Sequence, residues 1–302
     1  KKIANYILRE ARNNELIIFK EKPRAEQEQI GREFAEKYYA VGNWRDSQCA
    51  FKKISETVAP FDVNAVFYPE ALRVLKNIQQ DLHMRIPDID KLISKWEQVR
   101  ELYKFNTESK KYGRLPAYAL ALYNIRQEKG KLRYDKFKVN HLDESYLYTY
   151  CESAPRQLES FCRRLLDPDF FYTKSGPLLI ARNNTYGYTT QEYHGLVIWT
   201  KQVAFVVLGL SKHYKIAKAE GWDKKITQLL RKTIIQISGD MIDAFCKLNA
   251  IPELHYDDNG TPRFFTDQEG VQGKMSKVQL WSAVGARRLI RKYYELLEED
   301  NK

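Results

Sequence analysis

Apolar residues recur with helical spacing through most of this 302-residue chain, and this periodicity restricts the possible folds more than any other feature. Ile89, Leu92 and Trp96, for example, follow the pattern i, i+3, i+7 directly after the helix-start signal at Pro87. About eight segments of this kind follow one another, joined by alternating short and long loops. The pattern predicts a mainly all-α protein in which helical hairpins pack around a core.

Two regions depart from simple helical spacing. Segments rich in Tyr, Leu and Val flank a turn signal at residues 128–131, so a small β-hairpin inserted at about 113–141 is expected within a single domain, 1–302. Residues 250–274 are rich in Gly, Pro and Asp and are predicted to be loop. The last helix is predicted from about residue 276 to 298, with these side chains facing the core: Val278, Trp281, Val284 and Leu289.

Composition limits the classes of function. The net charge is +11, but basic pairs such as Arg287-Arg288 are spread among acidic residues, which favours solvated helix faces over a nucleic-acid stripe. No apolar run approaches the roughly 20 residues of a membrane span, and no signal peptide is recognised. The four cysteines form no CxxC pattern, so no zinc site is expected, and a reducing, cytoplasmic location is favoured.

The first loop cluster that carries chemistry is Gly42-Asn43-Trp44-Arg45-Asp46-Ser47. It places the Asp46 carboxyl beside an indole, which raises a carboxyl pKa by desolvation, and beside a guanidinium, which lowers it. A carboxyl balanced in this way can serve as a general acid. The alternative is that Asp46 caps a turn or pairs with Arg45.

Two further clusters lie later in the chain. Tyr193 and His194 precede Gly195 and Trp199, and aromatic and imidazole groups at a helix start suit a hydroxyl-rich ligand. Glu253 follows a proline in a loop with aromatic neighbours. The alternatives are that His194 is a structural histidine and that Glu253 is solvent-exposed.

Taken together, these clusters meet the needs of glycoside hydrolysis. That reaction requires two carboxyls across the scissile bond, together with groups that hold the sugar. Asp46 and Glu253 both lie in loops after helices, which a helical toroid can bring together at one end. For an inverting enzyme their carboxyl groups should lie roughly 6.5–9.5 Å apart.

In these residues the chain resembles the six-hairpin (α/α)6-toroid glycosidases, the group of processing α-glucosidase, trehalase, glucoamylase and the glucosidase domain of glycogen debranching enzymes. One branch carries its acid in a Gly-Trp-Asp type loop and its base in a Glu-x-Tyr segment before a Trp-Ser helix. Two segments of this chain are similar to these motifs, each with one extra residue. The first is residues 42–47, and the second is residues 253–256 followed later by Trp281-Ser282. Tyr193-His194-Gly195 is closer to the Tyr-His-Gly form of debranching-like proteins. The resemblance covers about residues 35–295.

The resemblance implies inverting hydrolysis of α-glucosidic or related oligosaccharide linkages, without cofactor or metal. Asp46 would protonate the leaving oxygen and Glu253 would activate a water, with Asp62 and Glu269 as reserve acid and base. The implied substrate-binding set combines aromatic platforms and polar contacts: Trp44, Tyr193, Trp199 and Trp281, with Arg45, Asp62, Asn64 and His194. A full toroid has more helices than this sequence predicts, so the chain is expected to be the C-terminal part of such a domain.

Two other functions are compatible with the same residues. A non-catalytic carbohydrate-binding or scaffold protein on the same fold would bind sugar without turnover, and its binding would not change when Glu253 becomes Gln. A basic helical module would bind nucleic acid or acidic partners with an affinity that falls steeply with salt. The sequence leaves the oligomeric state open.

Overall fold

The structure, a computed structural model, describes residues 1–20, 57–271, 275–277 and 279–299. The chain divides into two compact units. The first unit comprises residues 1–105 and 118–138, and the second comprises residues 106–117 and 139–302. No helix in the described ranges has the length and apolar character needed to cross a membrane.

The α-helices of the described residues are α1 (Lys2–Asn13), α2 (Tyr68–Ile78), α3 (Ile89–Tyr103), α4 (Glu144–Tyr150), α5 (Pro155–Leu165), α6 (Thr200–Glu220), α7 (Lys224–Leu248) and α8 (Leu280–Glu298). The strands are β1 (Phe19–Lys20), β2 (Thr57–Pro60), β3 (Lys104–Ser109), β4 (Gly113–Tyr118), β5 (Ala121–Glu128), β6 (Lys131–Phe137), β7 (Ile198–Trp199), β8 (Leu254–Asp258) and β9 (Thr261–Phe264). A π-helical turn at Asp62–Phe67 leads directly into α2.

In the first unit, four antiparallel strands form one sheet in the order β1-β2-β5-β6. Strand β5 is internal, because Ala121 lies opposite Pro60 on one side and Phe137 on the other. The β5–β6 hairpin turns at Lys129 and Gly130, whose φ angles are 51° and 73°. Two consecutive positive φ angles match the right-handed twist of paired strands, which is why Gly is favoured in such turns.

The core of the first unit contains aromatic side chains whose polar atoms are satisfied by backbone groups. Trp96 of α3 stacks on Tyr68 with ring centroids 4.6 Å apart, and its indole N–H donates to the Ala11 carbonyl at 3.2 Å. The Tyr103 hydroxyl donates to the Ala59 carbonyl at 3.0 Å. These bonds offset the cost of burying polar atoms, so α1 and α3 are joined to the same core.

In the second unit, α6 is the central helix and packs against α4, α7 and α8. Its buried residues lie on several sides of the helix, as expected for an element surrounded by others. Gly221 follows its last residue as the C-cap, with a φ of 67°, the left-handed conformation that favours glycine after a helix. Asp223 is the N-cap of α7, and its carboxylate accepts a hydrogen bond from the Lys225 amide at 2.7 Å.

A small antiparallel sheet in the order β7-β8-β9 brings the start of α6 next to residues 254–264. The β8–β9 hairpin turns at Asn259 and Gly260, with φ angles of 51° and 90°. Trp199 lies opposite Leu254 in this sheet. The sheet therefore positions the residues that flank Glu253.

The expectation of an all-α toroid of helical hairpins is wrong, because the structure is a mixed α/β fold with three sheets among the described residues. The strand pair at 121–137 is present, but it belongs to a four-stranded sheet that begins before residue 60. Residues 104–118 also form strands, and the segment predicted as loop contains β8 and β9. These strands are short and carry little periodicity, so apolar spacing alone does not reveal them, although β3 pairs with β4 and β8 with β9 across short connections.

The predicted core face of the last helix is confirmed at Leu289, which is buried, and is wrong at Trp281 and Val284. These two residues of α8 are 51% and 48% exposed, whereas Gly285 lies with Leu289 on the buried side. The physical reason is close packing: a Cβ at Gly285 would lie 3.0 Å from the Cβ of Ala204 on α6. A face of small residues lets the two helices approach, and this outweighs the hydrophobicity of the larger side chains.

Candidate functional site

The residues predicted to form one site are distributed over both units and beyond the described residues. Trp44, Arg45 and Asp46 lie outside the described ranges, so the distance between the Asp46 and Glu253 carboxyls stays a prediction. Asp62 and Asn64 belong to the first unit. The remaining predicted site residues belong to the second unit: Tyr193, His194, Trp199, Glu253, Glu269 and Trp281.

In the first unit, Asp62 and Asn64 occupy the π-helical turn and are 1% and 0% exposed. The Asn64 amide joins this turn to the segment after α1. Its Oδ1 accepts from the Ile17 amide at 2.7 Å, and its Nδ2 donates to the carbonyls of Ile17 and Pro60, both at 3.0 Å. Burial, and then the Asp62 charge, raise the pKa of Tyr103 well above its usual range. Sugar binding by Asp62 or Asn64 stays a prediction.

In the second unit, the backbone on both sides of Glu253 is held in place. The Thr200 amide, at the start of α6, donates to the Glu253 carbonyl at 3.1 Å. The Thr200 hydroxyl donates to the Pro252 carbonyl at 2.7 Å. The Glu253 amide donates to the Ser276 carbonyl at 3.0 Å. Glu253 is therefore anchored between the start of α6 and the segment before α8.

The Glu253 side chain is only 3% exposed, so the alternative of a solvent-exposed glutamate is wrong. Its Oε1 accepts a hydrogen bond from the Tyr193 hydroxyl at 2.9 Å. Its Oε2 accepts from the Ser276 amide at 3.0 Å. Both carboxylate oxygens therefore act as hydrogen-bond acceptors. The structure thus brings together two of the predicted site residues, Glu253 and Tyr193, in a direct contact.

Aromatic rings surround Tyr193. Its ring meets Trp199 edge-on at 4.9 Å, His194 at 5.1 Å and Phe265 at 6.0 Å between centroids. His194 stacks on Trp199 at 5.4 Å with an interplanar angle of 7°. The Trp199 indole N–H donates to the Tyr193 carbonyl at 2.9 Å, which fixes the indole. Three predicted platform or contact residues therefore form one cluster, in which Tyr193 is half-buried.

The loop that carries Tyr193 is tightly folded. The Thr189 amide donates to the Glu192 carboxylate at 2.9 Å, and the Gly195 amide donates to the Glu192 carbonyl at 2.9 Å. A Cβ at Gly195 would collide with the Thr189 carbonyl oxygen, so only glycine fits there. This close contact is the physical reason for a glycine directly after Tyr193 and His194. The loop closes on itself and directs the Tyr193 hydroxyl to Glu253.

Side-chain amides join this loop to the segment after β9. The Thr190 hydroxyl donates to Gln268 Oε1 at 2.8 Å, and Gln268 Nε2 donates back to the Thr190 carbonyl at 3.0 Å. Gln191 Nε2 donates to the Glu269 carbonyl at 3.0 Å. The Glu269 side chain itself is exposed. Of the two carboxylates considered as base, Glu253 is therefore the one held in a defined position.

His255, two residues after Glu253, is fully buried. Its Nε2 lies 2.9 Å from the Ser175 carbonyl, and because a carbonyl only accepts, Nε2 carries the proton. Burial lowers the pKa of His255 to about 4, although the Ser175 carbonyl and the Asp257 charge act in the opposite direction. The imidazole is therefore neutral at pH 7 and links β8 to residue 175.

Two contacts of this cluster, the Ser276 amide with Glu253 and the Phe265 ring with Tyr193, could not be predicted from sequence patterns. Ser276 supplies a backbone amide, which any residue other than proline can do, so no residue type signals it. Phe265 belongs to a segment predicted as loop. The Asn259-Gly260 pair, the strongest short hairpin signal, could have revealed that this segment turns back towards Glu253.

The arrangement presents a fixed carboxylate, a hydroxyl and a group of aromatic rings. Within the described ranges, His, Cys, Asp and Glu side chains do not gather in groups of three that could hold an ion. Trp281 is half exposed and packs under the Lys201 ammonium, which lies 5.3 Å from the centroid of its ring.

No protein-family model and no curated protein sequence matches the chain.

Proposed function

We propose that this protein is a glycoside hydrolase for α-glucosidic or related oligosaccharide linkages, with Glu253 as the general base. The observation that carries the proposal is the Glu253 carboxylate, which is 3% exposed and held by the Tyr193 hydroxyl and the Ser276 amide. Carboxylates fixed in this way beside aromatic rings are the groups that glycoside hydrolysis needs.

The remaining acceptor capacity of Glu253 suits this role. A carboxylate has about four lone-pair positions, and the two hydrogen bonds to Glu253 occupy one on each oxygen. A free position can accept the proton of an attacking water in the transition state. Tyr193 is the positioning residue, since its hydroxyl orients Glu253 Oε1.

The acid partner in the proposal is Asp46. It protonates the leaving oxygen while Glu253 activates a water on the opposite face of the sugar. This division of roles requires separated carboxyls and inverts the anomeric centre. The half-buried ring of Tyr193 provides apolar surface next to the carboxylate, on which the C–H face of a sugar ring can pack, and the buried Trp199 indole supports that ring edge-on.

The test is hydrolysis of a panel of aryl α-glucosides and malto-oligosaccharides by wild type, Asp46→Asn and Glu253→Gln. We expect both variants to lose about 10²–10⁴-fold in kcat, because each removes general acid or base catalysis. Tyr193→Phe should lose less, because it removes one hydrogen bond to the carboxylate and leaves the carboxylate itself in place. Proton NMR of the first sugar released from an α-glucoside should show the β-anomer.

The matched control is Glu269→Gln, which makes the same chemical change at an exposed position in the same unit. It should retain wild-type turnover, and circular dichroism should show that every variant is folded. Turnover that survives in folded Glu253→Gln, or that is lost equally in Glu269→Gln, would contradict the assignment of Glu253.

A second function, sugar binding without turnover, is favoured by one observation. Glu253 is almost fully buried and both of its oxygens already accept hydrogen bonds, which are also the features of a structural carboxylate. In that case wild type would hydrolyse none of the panel. Malto-oligosaccharides would still raise the unfolding temperature, and they would do so equally in Glu253→Gln.

A further inference from the structure

The exposed side of α8 forms a concave surface that the proposed glycosidase site does not use. A cavity of about 460 Å³ lies between α8 and α6 and is lined by Leu208, Val284, Arg287, Arg288, Arg291 and Lys292. We call these six residues the α8 groove. All six belong to the second unit.

The groove combines an apolar floor with an exposed apolar end. Leu208 of α6 is half-buried at its base, and Val284 is 48% exposed. One turn earlier on α8, Leu280 and Trp281 are 83% and 51% exposed. Large apolar side chains grouped on one helix face are unusual on a surface in contact only with water, and such groups mark interaction sites.

The other end of the groove is strongly basic. It has four cations, of which Arg291 and Lys292 both pair with the Glu295 carboxylate. Arg287 and Arg288 form no ion pair with any residue in the described part of the chain. One carboxylate against four cations leaves a local positive charge that attracts an anionic ligand.

We propose that the α8 groove binds an acidic amphipathic helix of a partner protein. A helix presents ridges of side chains that fit the groove between two packed helices. From Trp281 to Arg291 the surface extends about 15 Å, at about 1.5 Å per residue, which matches about three helical turns. Apolar anchors at i, i+3 and i+7 contact Leu208, Trp281 and Val284, and carboxylates beside them pair with Arg287 and Arg288.

Charge and shape favour this occupant over two other polyanionic surfaces. The basic residues 287–292 extend only about 7.5 Å, which is enough for two or three phosphates of a nucleic-acid strand. A phosphate backbone also offers no apolar group for Trp281 and Val284. An anionic membrane is flat, so its headgroups would contact a convex protein surface but would not reach the concave base of the groove at Leu208.

The test is fluorescence anisotropy with a labelled acidic peptide of about 18 residues, which is long enough to form a helix. The peptide carries Leu at i, i+3, i+4 and i+7 and Glu at the other positions. We expect saturable binding that weakens with added salt and that exceeds binding of a scrambled peptide of the same composition. Arg287→Glu/Arg288→Glu and Val284→Asp should each weaken it at least about tenfold.

The matched control is Lys224→Glu/Lys225→Glu, which changes the net charge equally on exposed residues of the same unit that do not line the groove. It should bind the peptide like wild type. Four results would overturn the proposal: equal affinity for the scrambled peptide, equal loss in the control variant, tighter binding of single-stranded RNA or of anionic vesicles than of the peptide, or self-association that Arg287→Glu/Arg288→Glu abolishes.

Discussion

At the scale of single residues, one buried ion pair organises the polar interior of the second unit. Arg164 and Glu144 are both fully buried, and the guanidinium donates to Glu144 Oε1 at 2.9 Å and to Oε2 at 2.7 Å. The same Arg164 Nη1 donates to Asn140 Oδ1 at 3.1 Å. Because each charge is desolvated, each depends on the other, and the pair joins α4 to α5.

We predict that Arg164→Met lowers the free energy of unfolding by about 3–5 kcal/mol, because it leaves the Glu144 carboxylate buried without its partner charge. The matched control is the next residue. Arg163 pairs with Glu159, but these side chains are 35% and 31% exposed, so Arg163→Met should cost less than about 1 kcal/mol. Urea unfolding followed by circular dichroism measures both values, and similar losses in the two variants would contradict the prediction.

The buried imidazole of His255 predicts a pH dependence of stability. Its pKa is lowered to about 4 in the folded protein, against about 6.5 in the unfolded chain, so the unfolded chain binds more protons between these values. The stability contribution is fully present above pH 6.5. As the pH falls to 4, about 3 kcal/mol is lost.

His255→Gln should remove this part of the pH dependence, because glutamine keeps an N–H donor but does not titrate. The measurement is urea unfolding at pH 7 and pH 4.5. His83→Gln, at an exposed position, is the control and should keep the wild-type pH dependence. A folded His255→Gln variant with an unchanged loss of stability at low pH would count against the imidazole as the source.

At the scale of elements, close helix packing in the second unit depends on glycine. A Cβ at Gly209 of α6 would lie 3.0 Å from the Thr149 amide nitrogen and 3.0 Å from two atoms of Tyr148 on α4. Gly285 plays the same part between α8 and α6. Interiors are packed at crystal-like density, so backbone this close has no room for even one methyl group.

Gly209→Ala should therefore lower the free energy of unfolding by about 1–3 kcal/mol, although alanine is the better helix former. Gly239 of α7 is the matched control, because a Cβ there would meet only the Tyr293 side chain, at 3.6 Å from a ring carbon and 3.9 Å from the hydroxyl oxygen. Gly239→Ala should be neutral or stabilising by up to about 1 kcal/mol. Thermal and urea unfolding would separate the two, and stabilisation by Gly209→Ala would disprove the packing argument.

At the scale of the whole molecule, strand pairing distinguishes the structure from the predicted helical fold. The sheet of the first unit joins residues 19–20, 57–60 and 121–137. Strand β2 pairs on both sides with segments far away in sequence, whereas β5 and β6 pair with each other across the turn at Lys129 and Gly130. The distant pairing leaves almost no local pattern, because β-structure is stabilised by cross-strand neighbours rather than by the segment itself.

The sequence by itself determined where most helices form, since helical hydrogen bonds and the apolar face both come from neighbouring residues. Residues 89–103, 155–165 and 224–248 follow their local spacing, and the turn at Lys129-Gly130 follows its residue types. Only the tertiary structure decided that Glu253 is buried against Tyr193 and that Trp281 faces outward. Both outcomes depend on the approach of segments distant in sequence. At α8, the close fit of small residues against α6 outweighs the hydrophobicity of any single side chain.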